Sequence, residues 1–192
     1  MKISGLILAA GLSGRMNSFK PVMKINGKSF VGIVAENLLR VCDNLIVVTG
    51  YQSEQVENAL EKSDRIRFVY NQNYEEGMFS SLKIGLSESM DSAWVIYHFV
   101  DQPLIPKEFY REFIEQIEEN YNWIQPSFNS VKGHPVLLKK SLFRIIIDTA
   151  NNYSLKEISH NPALSKKIWD CRYPQILTDL DTLDDFNKLK PL

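Results

Sequence analysis

The chain has 192 residues, of which 44% are hydrophobic and 11% aromatic, enough apolar material for the core of one α/β domain. Its 22 Lys and Arg residues against 23 Asp and Glu give a formal charge of -1, which excludes a global attraction to nucleic acid or an anionic membrane. Any site for a polyanion must therefore be local.

The amino terminus and the cysteines favour an intracellular protein. The apolar run that ends before Gly11 is too short for a signal sequence or a membrane span. Cys42 and Cys171 belong to no CxxC motif or Cys/His cluster, which argues against a disulfide framework or a zinc site. We therefore expect a cytoplasmic protein with a single domain over residues 1–192.

Strand-like and helix-like segments alternate along the first half of the chain. Ile3 to Ala9 is almost continuously apolar, which is typical of a parallel strand covered on both faces. Similar patterns predict a helix over 30–41, a strand over 44–50, a helix over 52–62, a strand over 66–70, a helix over 79–89 and a strand over 93–100. These βα units predict a Rossmann-like, doubly wound, mostly parallel sheet in a three-layer α/β/α arrangement.

The second half of the chain has shorter and weaker patterns. Pro106 stands where the first turn of a helix would begin. Short strands are predicted over 123–125 and 135–138, with helical segments between 141 and 159. A short strand near 176–180 and a terminal helix over 183–189 complete the predicted elements.

The segment LAAGLSGRMNSFK, residues 8–20, directly follows the first predicted strand. Its small residues allow successive backbone N–H groups to bind an anion, while Arg15 supplies a fork of donors and Lys20 a mobile point charge. The spacing matches neither the P-loop motif nor the GxGxxG motif, which argues against an ATPase or a dehydrogenase. The segment predicts a triphosphate site; the alternative is an ordinary Gly/Ser turn with two solvated cations.

A carboxylate ends the strand predicted over 93–100. Asp101 follows this strand in the sequence VDQPLIP, whose prolines restrict the turn. Because ligands of doubly wound sheets bind beyond the carboxyl ends of the strands, we expect Asp101 beside the 8–20 segment. Its carboxylate could bind Mg²⁺, which takes one or two carboxylates together with substrate phosphates. Capping of the following turn or helix by Asp101 is the alternative, and the residues alone leave both open.

The acidic segment TDLDTLDDF, residues 178–186, offers a second candidate ligand. Asp179 and Asp181 flank Leu180 and would point to the same side of an extended chain. One of them could complete a metal site. The alternative is a helix N-terminus capped by Asp181 or Thr182, with the later acidic residues in its first turn.

The histidines and tryptophans are assigned by their surroundings. We expect structural roles for His98, inside a predicted strand, and for His160, in a polar helical segment. His134 lies between Gly133 and Pro135, and we expect it to contact substrate without transferring a proton. The tryptophans are scattered and form no stacking platform for nucleic acid.

Together these motifs resemble the MobA-like NTP transferase family, and within it the molybdenum cofactor cytidylyltransferases. The matching motifs, in order over nearly the whole chain, are LILAAGLSGRM, GYQSEQV, NQNYEEGMFSSL, VDQPLI, GHPVLL and DLDTLDDF. The resemblance implies a fold of the nucleotide-diphospho-sugar transferase type, Mg²⁺ on Asp101 and molybdopterin as acceptor. It implies transfer of CMP from CTP to the acceptor phosphate, with release of pyrophosphate.

The resemblance also assigns residues to each part of the site. The implied catalytic residues are Arg15, Lys20 and Asp101, and the implied metal ligands are Asp101 and Asp181. The implied nucleotide-binding residues are Leu8, Ala9, Ala10, Gly11, Arg15, Lys20, Thr49, Gly50, Asn73, Gly77, Ser80 and Ser81. The implied acceptor-binding residues are Gly133, His134 and Pro135.

Other activities are compatible with parts of this pattern. A guanylyltransferase or a sugar- or alcohol-phosphate nucleotidyltransferase would share the first loop and the DQP turn, whereas GHPVLL and GMFSSL favour a pterin acceptor. A nucleotide sensor or a chaperone for a client molybdoenzyme would bind without turnover, and the joint presence of the catalytic and metal residues argues against it. Ala10 favours CTP over GTP, because the guanylyl branch resembles LAGG and the extra methyl group leaves less room.

Overall fold

The computed structural model describes residues 1–12, 19–162 and 164–180 of the chain. Within these ranges, eight strands form one sheet and two more form a small antiparallel hairpin. The sheet consists of β1 (Ile3–Ala9), β4 (Asn44–Thr49), β5 (Ile66–Tyr70), β6 (Trp94–Phe99), β7 (Trp123–Phe128), β8 (Val131–Lys132), β9 (Val136–Lys139) and β10 (Lys166–Asp170). The hairpin consists of β2 (Lys24–Ile25) and β3 (Lys28–Ser29).

The strand order of the sheet is β10-β7-β9-β6-β1-β4-β5, and β8 pairs with β7. β1 pairs in parallel with β4 on one side and with β6 on the other, while β9 runs antiparallel to β6 and β7. The predicted doubly wound, mostly parallel sheet is therefore confirmed. The chain leaves β1 toward β4 and β5 and then crosses to β6 on the opposite side of β1. This reversal opens a crevice beyond the carboxyl ends of β1 and β6.

Helices cover both faces of the sheet. They are α1 (Phe30–Leu39), α2 (Ser53–Asn58), α3 (Met78–Ser87), α4 (Lys107–Ile114), α5 (Phe143–Asp148) and α6 (Leu155–Ser159). Residues of α1 and α4 join Ile7 in one hydrophobic cluster, and residues of α3 and α5 join Leu6 in another. Because successive side chains of a strand point to opposite faces, the nearly continuous apolar run of β1 supplies both clusters. The described part of the chain contains no helix with the length and apolar character needed to cross a membrane.

Two local features set the positions of α1 and α3. Ser29 caps the N-terminus of α1, where its hydroxyl accepts a hydrogen bond of 3.1 Å from the Gly32 amide. Gly85 of α3 lies so close to the sheet that a Cβ atom there would collide with the side chain of Leu6. The absence of a side chain at Gly85 thus lets α3 lie directly on the central strand.

Residues 176–180 do not form the predicted strand. Pro174–Leu177 is a short 3-10 helix, and the Leu180 amide donates a hydrogen bond of 2.9 Å to the Asp101 carbonyl. The prediction of a strand near 176–180 is therefore wrong. Ile176 and Leu180 are buried as a strand would require, but the segment docks against the turn after β6 and pairs with no strand.

The edge strand β10 is absent from the predicted elements. Its sequence, KKIWD, carries charges at both ends and pairs with a single partner, β7. Such an edge strand lacks the continuous apolar run that identifies the central strands. The helical material predicted over 141–159 divides into α5 and α6, and the terminal helix over 183–189 lies outside the described residues.

His98 has the structural role that its position in β6 predicts. It is fully buried, and its Nε2 atom lies 2.7 Å from the Tyr110 hydroxyl, with Nδ1 2.6 Å from the Phe99 carbonyl. Burial lowers the pKa of His98 to about 4. The neutral ring therefore connects β6 to α4 and remains outside the chemistry of the site.

Candidate active site

A cavity of about 340 Å³ lies beyond the carboxyl ends of β1 and β6, beside the start of α3. In the parallel register, Leu8 of β1 stands opposite Phe99 of β6. The segments that follow these residues therefore emerge side by side. The residues of the cavity wall that the sequence assigns to the site are Leu8, Ala9, Ala10, Gly11, Lys20, Gly77, Ser81 and Asp101.

The pair formed by Lys20 and Asp101 is the main charged feature of this wall. The Lys20 ammonium lies 3.5 Å from Oδ2 of Asp101, and their side chains are 11% and 25% exposed. Lys20 opens the short 3-10 helix Lys20–Val22, in which the buried ring of Pro21 fixes the backbone. The low exposure of both charges limits screening by water, so each is placed to act strongly on an ion in the cavity.

The ends of β1 and β4 are held together at the same edge of the sheet. The Tyr51 amide donates a hydrogen bond of 3.2 Å to the Ala10 carbonyl. A Cβ atom at Gly50 would lie 2.6 Å from the Cβ of Tyr74 and 3.0 Å from the Cβ of Ala10. Gly50 thus allows Tyr74 to approach the end of β1 and to line the cavity. Tyr74 was not predicted, because its approach depends on the packing of distant segments.

A buried amide organises the wall on the side of α3. Nδ2 of Asn71 donates hydrogen bonds of 2.9 Å to the hydroxyls of both Ser80 and Ser81, while Oδ1 accepts one of 2.9 Å from the Asn73 amide. The Ser80 hydroxyl in turn lies 2.8 Å from the Gly77 carbonyl. Asn71 is fully buried and fixes the first turn of α3 next to the cavity. The motif NQN after β5 is the signal that could have identified it.

Several predicted nucleotide residues support the wall without lining it. Thr49, Gly50, Asn73 and Ser80 lie outside the cavity surface, whereas Ser81 and Gly77 belong to it. Thr49 ends β4, and its carbonyl accepts a hydrogen bond of 2.8 Å from the Asn71 amide. Arg15 and Asp181 lie outside the described residues. The nucleotide-binding roles of Arg15, Thr49, Gly50, Asn73 and Ser80 stay predictions, as does the role of Asp181 as a metal ligand.

The predicted acceptor segment lies behind the cavity wall. A Cβ atom at Gly133 would lie 2.5 Å from the Ile176 carbonyl, which also accepts a hydrogen bond of 3.1 Å from the His134 amide. The centroids of the His134 and Phe99 rings are 4.3 Å apart, and Phe99 lines the cavity. Burial lowers the pKa of His134 to about 4, so its ring is neutral at pH 7. The His134–Pro135 peptide bond is cis.

The ligands in the cavity wall determine which divalent cation could bind there. Over residues 1–12, 19–162 and 164–180, no group of three or more His, Cys, Asp or Glu side chains could hold a metal ion. The described part of the cavity wall instead contains two carboxylates, those of Glu75 and Asp101, and Asp101 lies just beyond the carboxyl end of β6. A carboxylate oxygen that leaves the remaining coordination positions to phosphate oxygens suits Mg²⁺ or Mn²⁺. A structural zinc site would require four protein ligands, mostly Cys and His.

Comparison with known proteins gives the site its context. A model of the family described as MobA-like NTP transferase domain matches residues 5–166. The chain is 26% identical over 185 residues to the molybdenum cofactor cytidylyltransferase of Escherichia coli (strain K12), and the match covers 96% of this chain and 93% of that protein.

Solved structures support the fold. The chain superposes with a TM-score of 0.83 and 19% identity on a nucleotidyl transferase from Methanothermobacter thermautotroptrophicus (Mth528), covering 98% of this chain and 95% of that one. It superposes with a TM-score of 0.76 and 19% identity on Rv0371C of Mycobacterium tuberculosis H37Rv in complex with manganese, covering 98% of each chain. These neighbours belong to the nucleotide-diphospho-sugar transferase fold, which confirms the predicted fold class.

Proposed function

Because the chain belongs to the MobA-like NTP transferase family and is therefore a nucleotidyltransferase, we propose that it transfers CMP from CTP to the phosphate of a molybdopterin-type acceptor. Pyrophosphate is the second product, and the reaction depends on Mg²⁺. The observation that carries the proposal is the pair of Lys20 and Asp101 in the wall of the cavity, in the crevice beyond the carboxyl ends of β1 and β6. The cytidylyltransferase of Escherichia coli is the relative that supports the choice of nucleotide and acceptor.

In the proposed reaction, an acceptor phosphate oxygen forms a bond to the α-phosphorus of CTP, and the bond from that phosphorus to the oxygen bridging the β-phosphate breaks. The acceptor phosphate is already an anion, so the step needs no general base. The chain contributes positioning and charge. Lys20 and Arg15 lie on the segment after β1 and neutralise charge on the phosphate oxygens, while backbone amides of Ala9 to Gly11 donate to the triphosphate.

Asp101 is proposed to hold the Mg²⁺ ion, with Asp181 as its second carboxylate. When bound, the ion neutralises the phosphate oxygens and so favours attack at phosphorus and departure of pyrophosphate. The Leu180 amide binds the Asp101 carbonyl, and Asp181 is the next residue of the chain. The complex of Rv0371C with manganese supports a divalent cation in this fold.

The nucleoside part of CTP is proposed to lie between the end of β1 and the start of α3. Because the Ser81 hydroxyl accepts from Asn71, its own O–H is directed to another acceptor, and the described residues supply none. Ser81 lines the cavity, so it is placed to donate to the nucleotide. Gly77 and Tyr74 form the adjoining surface, while Thr49, Gly50, Asn73 and Ser80 hold that surface in place.

The acceptor is proposed to enter beside Phe99 and to reach the segment Gly133 to Pro135. The neutral His134 ring fits contact with an uncharged pterin and does not fit proton transfer at pH 7. A cytoplasmic location and delivery of the product to a client molybdoenzyme complete the proposal.

The proposal is tested by product identification. Purified protein is incubated with CTP, MgCl₂ and molybdopterin, and pyrophosphate release is measured beside mass spectrometry of the pterin. The expected result is equal amounts of pyrophosphate and of a product that is heavier by one CMP unit. Pyrophosphate release with a sugar phosphate and none with molybdopterin would identify a different acceptor. Nucleotide binding without pyrophosphate from any acceptor would identify a sensor or chaperone.

A further inference from the structure

Gln102, the residue after Asp101, makes hydrogen bonds that have no part in the proposed reaction. Gln102 is 2% exposed. Its Nε2 atom donates to the Asp179 carboxylate oxygen Oδ1 at 2.7 Å and to the Ile176 carbonyl at 3.3 Å. Both partners lie more than 70 residues later in the chain. The amide of Gln102 therefore connects the turn after β6 to the segment 176–180.

The orientation of this amide follows from its partners. A carboxylate and a backbone carbonyl are both acceptors, so the NH₂ group of Gln102 must face them. Its Oε1 atom is then buried and meets no donor in the part of the chain that the structure describes. A buried, unsatisfied carbonyl is unfavourable, and an apolar side chain would avoid it. The two donated bonds, and not burial, are the reason for an amide at this position.

The same two segments are joined again at the backbone of Asp101. The Leu180 amide donates to the Asp101 carbonyl at 2.9 Å. The Ile176 carbonyl accepts from both Gln102 and the His134 amide, so both of its lone pairs are used. Residues 176–180 are therefore fixed at both ends, between the turn that carries Asp101 and the segment that carries His134.

We propose that Gln102 is a positioning residue for the divalent cation: it holds residues 176–180 against the Asp101 turn and thereby fixes the Asp101 carboxylate in the direction of the cavity. This inference rests on the proposed function, which places the cation on Asp101. Asp179 acts in it as a hydrogen-bond acceptor for Gln102 and not as a ligand of the cation. The role of Asp179 gives a test that does not require a substitution in the core.

The test measures binding of Mn²⁺ alone, by electron paramagnetic resonance of the free ion titrated with the full chain. Asp179→Ala removes the acceptor, and Gln102→Ala removes the donor. Each should weaken Mn²⁺ binding by about 10- to 100-fold, the range for loss of a group that orients a metal ligand. Asp179→Asn keeps a side-chain carbonyl that can accept from Gln102, so it should bind Mn²⁺ within about threefold of wild type.

Gln116→Ala is the matched control. The Gln116 amide also donates one hydrogen bond to a carbonyl, that of Glu112 at 3.0 Å, but Gln116 follows the end of α4 and lies outside the cavity wall. Its Mn²⁺ affinity should equal that of wild type. If Asp179→Asn weakens binding as much as Asp179→Ala, the charge of Asp179 matters in its own right and the proposal is overturned. Equal affinity of Asp179→Ala and wild type would also overturn it, even where Gln102→Ala does not fold.

The control for the site itself is Asp101→Asn. Loss of Mn²⁺ binding in Asp101→Asn together with normal binding in the Asp179 variants would reject the role of Gln102 and leave the proposed metal site standing. Normal Mn²⁺ binding in Asp101→Asn would reject the metal site that the proposed function places there, and with it this inference.

Discussion

The Lys20 ammonium and the Asp101 carboxylate lie 3.5 Å apart although 81 positions separate them in the sequence. They meet because parallel strands β1 and β6 are neighbours, so the segments that follow them leave the sheet at the same edge. In the proposed reaction, the Lys20 ammonium binds the phosphate oxygens and the neighbouring Asp101 carboxylate binds the metal ion.

Asp101→Asn should fold normally and lose at least about 10²-fold in turnover, because an amide lacks the negative charge that holds Mg²⁺ on the phosphates. Activity is measured over a magnesium titration, with a thermal melt of each protein. Asp64→Asn, at an exposed position remote from the cavity wall, is the matched control. Near-wild-type turnover in folded Asp101→Asn would remove Asp101 from the site.

Lys20→Ala should lower kcat/KM by roughly 10²- to 10³-fold, the range for loss of one group that stabilises charge in the transition state. Lys20→Arg should restore only part of it, because a planar guanidinium differs in shape from a compact ammonium. Lys24→Ala, an exposed lysine of β2, serves as the control. A loss below about threefold in Lys20→Ala would mean that phosphate binding depends on other groups.

Asn71→Asp should raise KM for the nucleotide by roughly 10-fold with a smaller change in kcat, since it removes the donor to Ser81. The Ser81 O–H would then turn toward the new carboxylate and away from the cavity. Steady-state kinetics of Asn71→Asp, Ser81→Ala and the double variant check this prediction. Fully additive effects on KM would contradict it, because residues of one network are expected to couple.

Acid should destabilise the protein through its buried histidines. Burial lowers the pKa of both His98 and His134 from the ordinary 6.5 to about 4. Between pH 4 and pH 6.5 the unfolded chain therefore binds more protons than the folded chain. The contribution of the two histidines to the free energy of unfolding is fully present above pH 6.5 and is lost as the pH falls toward 4. Each histidine accounts for about 3 kcal/mol of this decrease. Thermal melts from pH 8 to 4 measure it, and His134→Gln should reduce the acid-dependent part by about half. A Tm of His134→Gln that falls as steeply as wild type would contradict this assignment.

The sequence predicts the central part of the fold better than its edges. β1, β4 and β6 are buried on both faces, and their nearly continuous apolar runs identify them directly. β10 has one partner and charged ends, whereas Ile176 and Leu180 are buried because their segment docks against a turn. Neither feature has a periodic signature.

The candidate site likewise combines residues that the sequence identifies with residues that only the folded structure identifies. Ala9 to Gly11 and Asp101 lie at strand ends and Lys20 in the segment after the first strand, so position together with the family resemblance made them candidates before the structure placed them in one cavity wall. Asn71, Gln102 and Tyr74 act through contacts between segments that meet only in the folded chain. A polar residue after a strand can be recognised in a sequence, but its partners cannot. For this reason, the hydrogen bonds that orient the cavity wall could be identified only in the structure.

The most direct test of the proposed CMP transfer is a parallel measurement of kcat/KM for CTP, GTP and ATP, with the same molybdopterin and Mg²⁺. Ala10 lies in the cavity wall. In the proposed site its methyl group would leave less room for a purine than a glycine would. Groups that pair with cytosine would stay unpaired against guanine, and such mismatches discriminate by up to roughly 10⁴-fold. We therefore predict that CTP exceeds GTP and ATP by at least about 10²-fold in kcat/KM. Equal or better use of GTP would contradict the cytidylyl assignment.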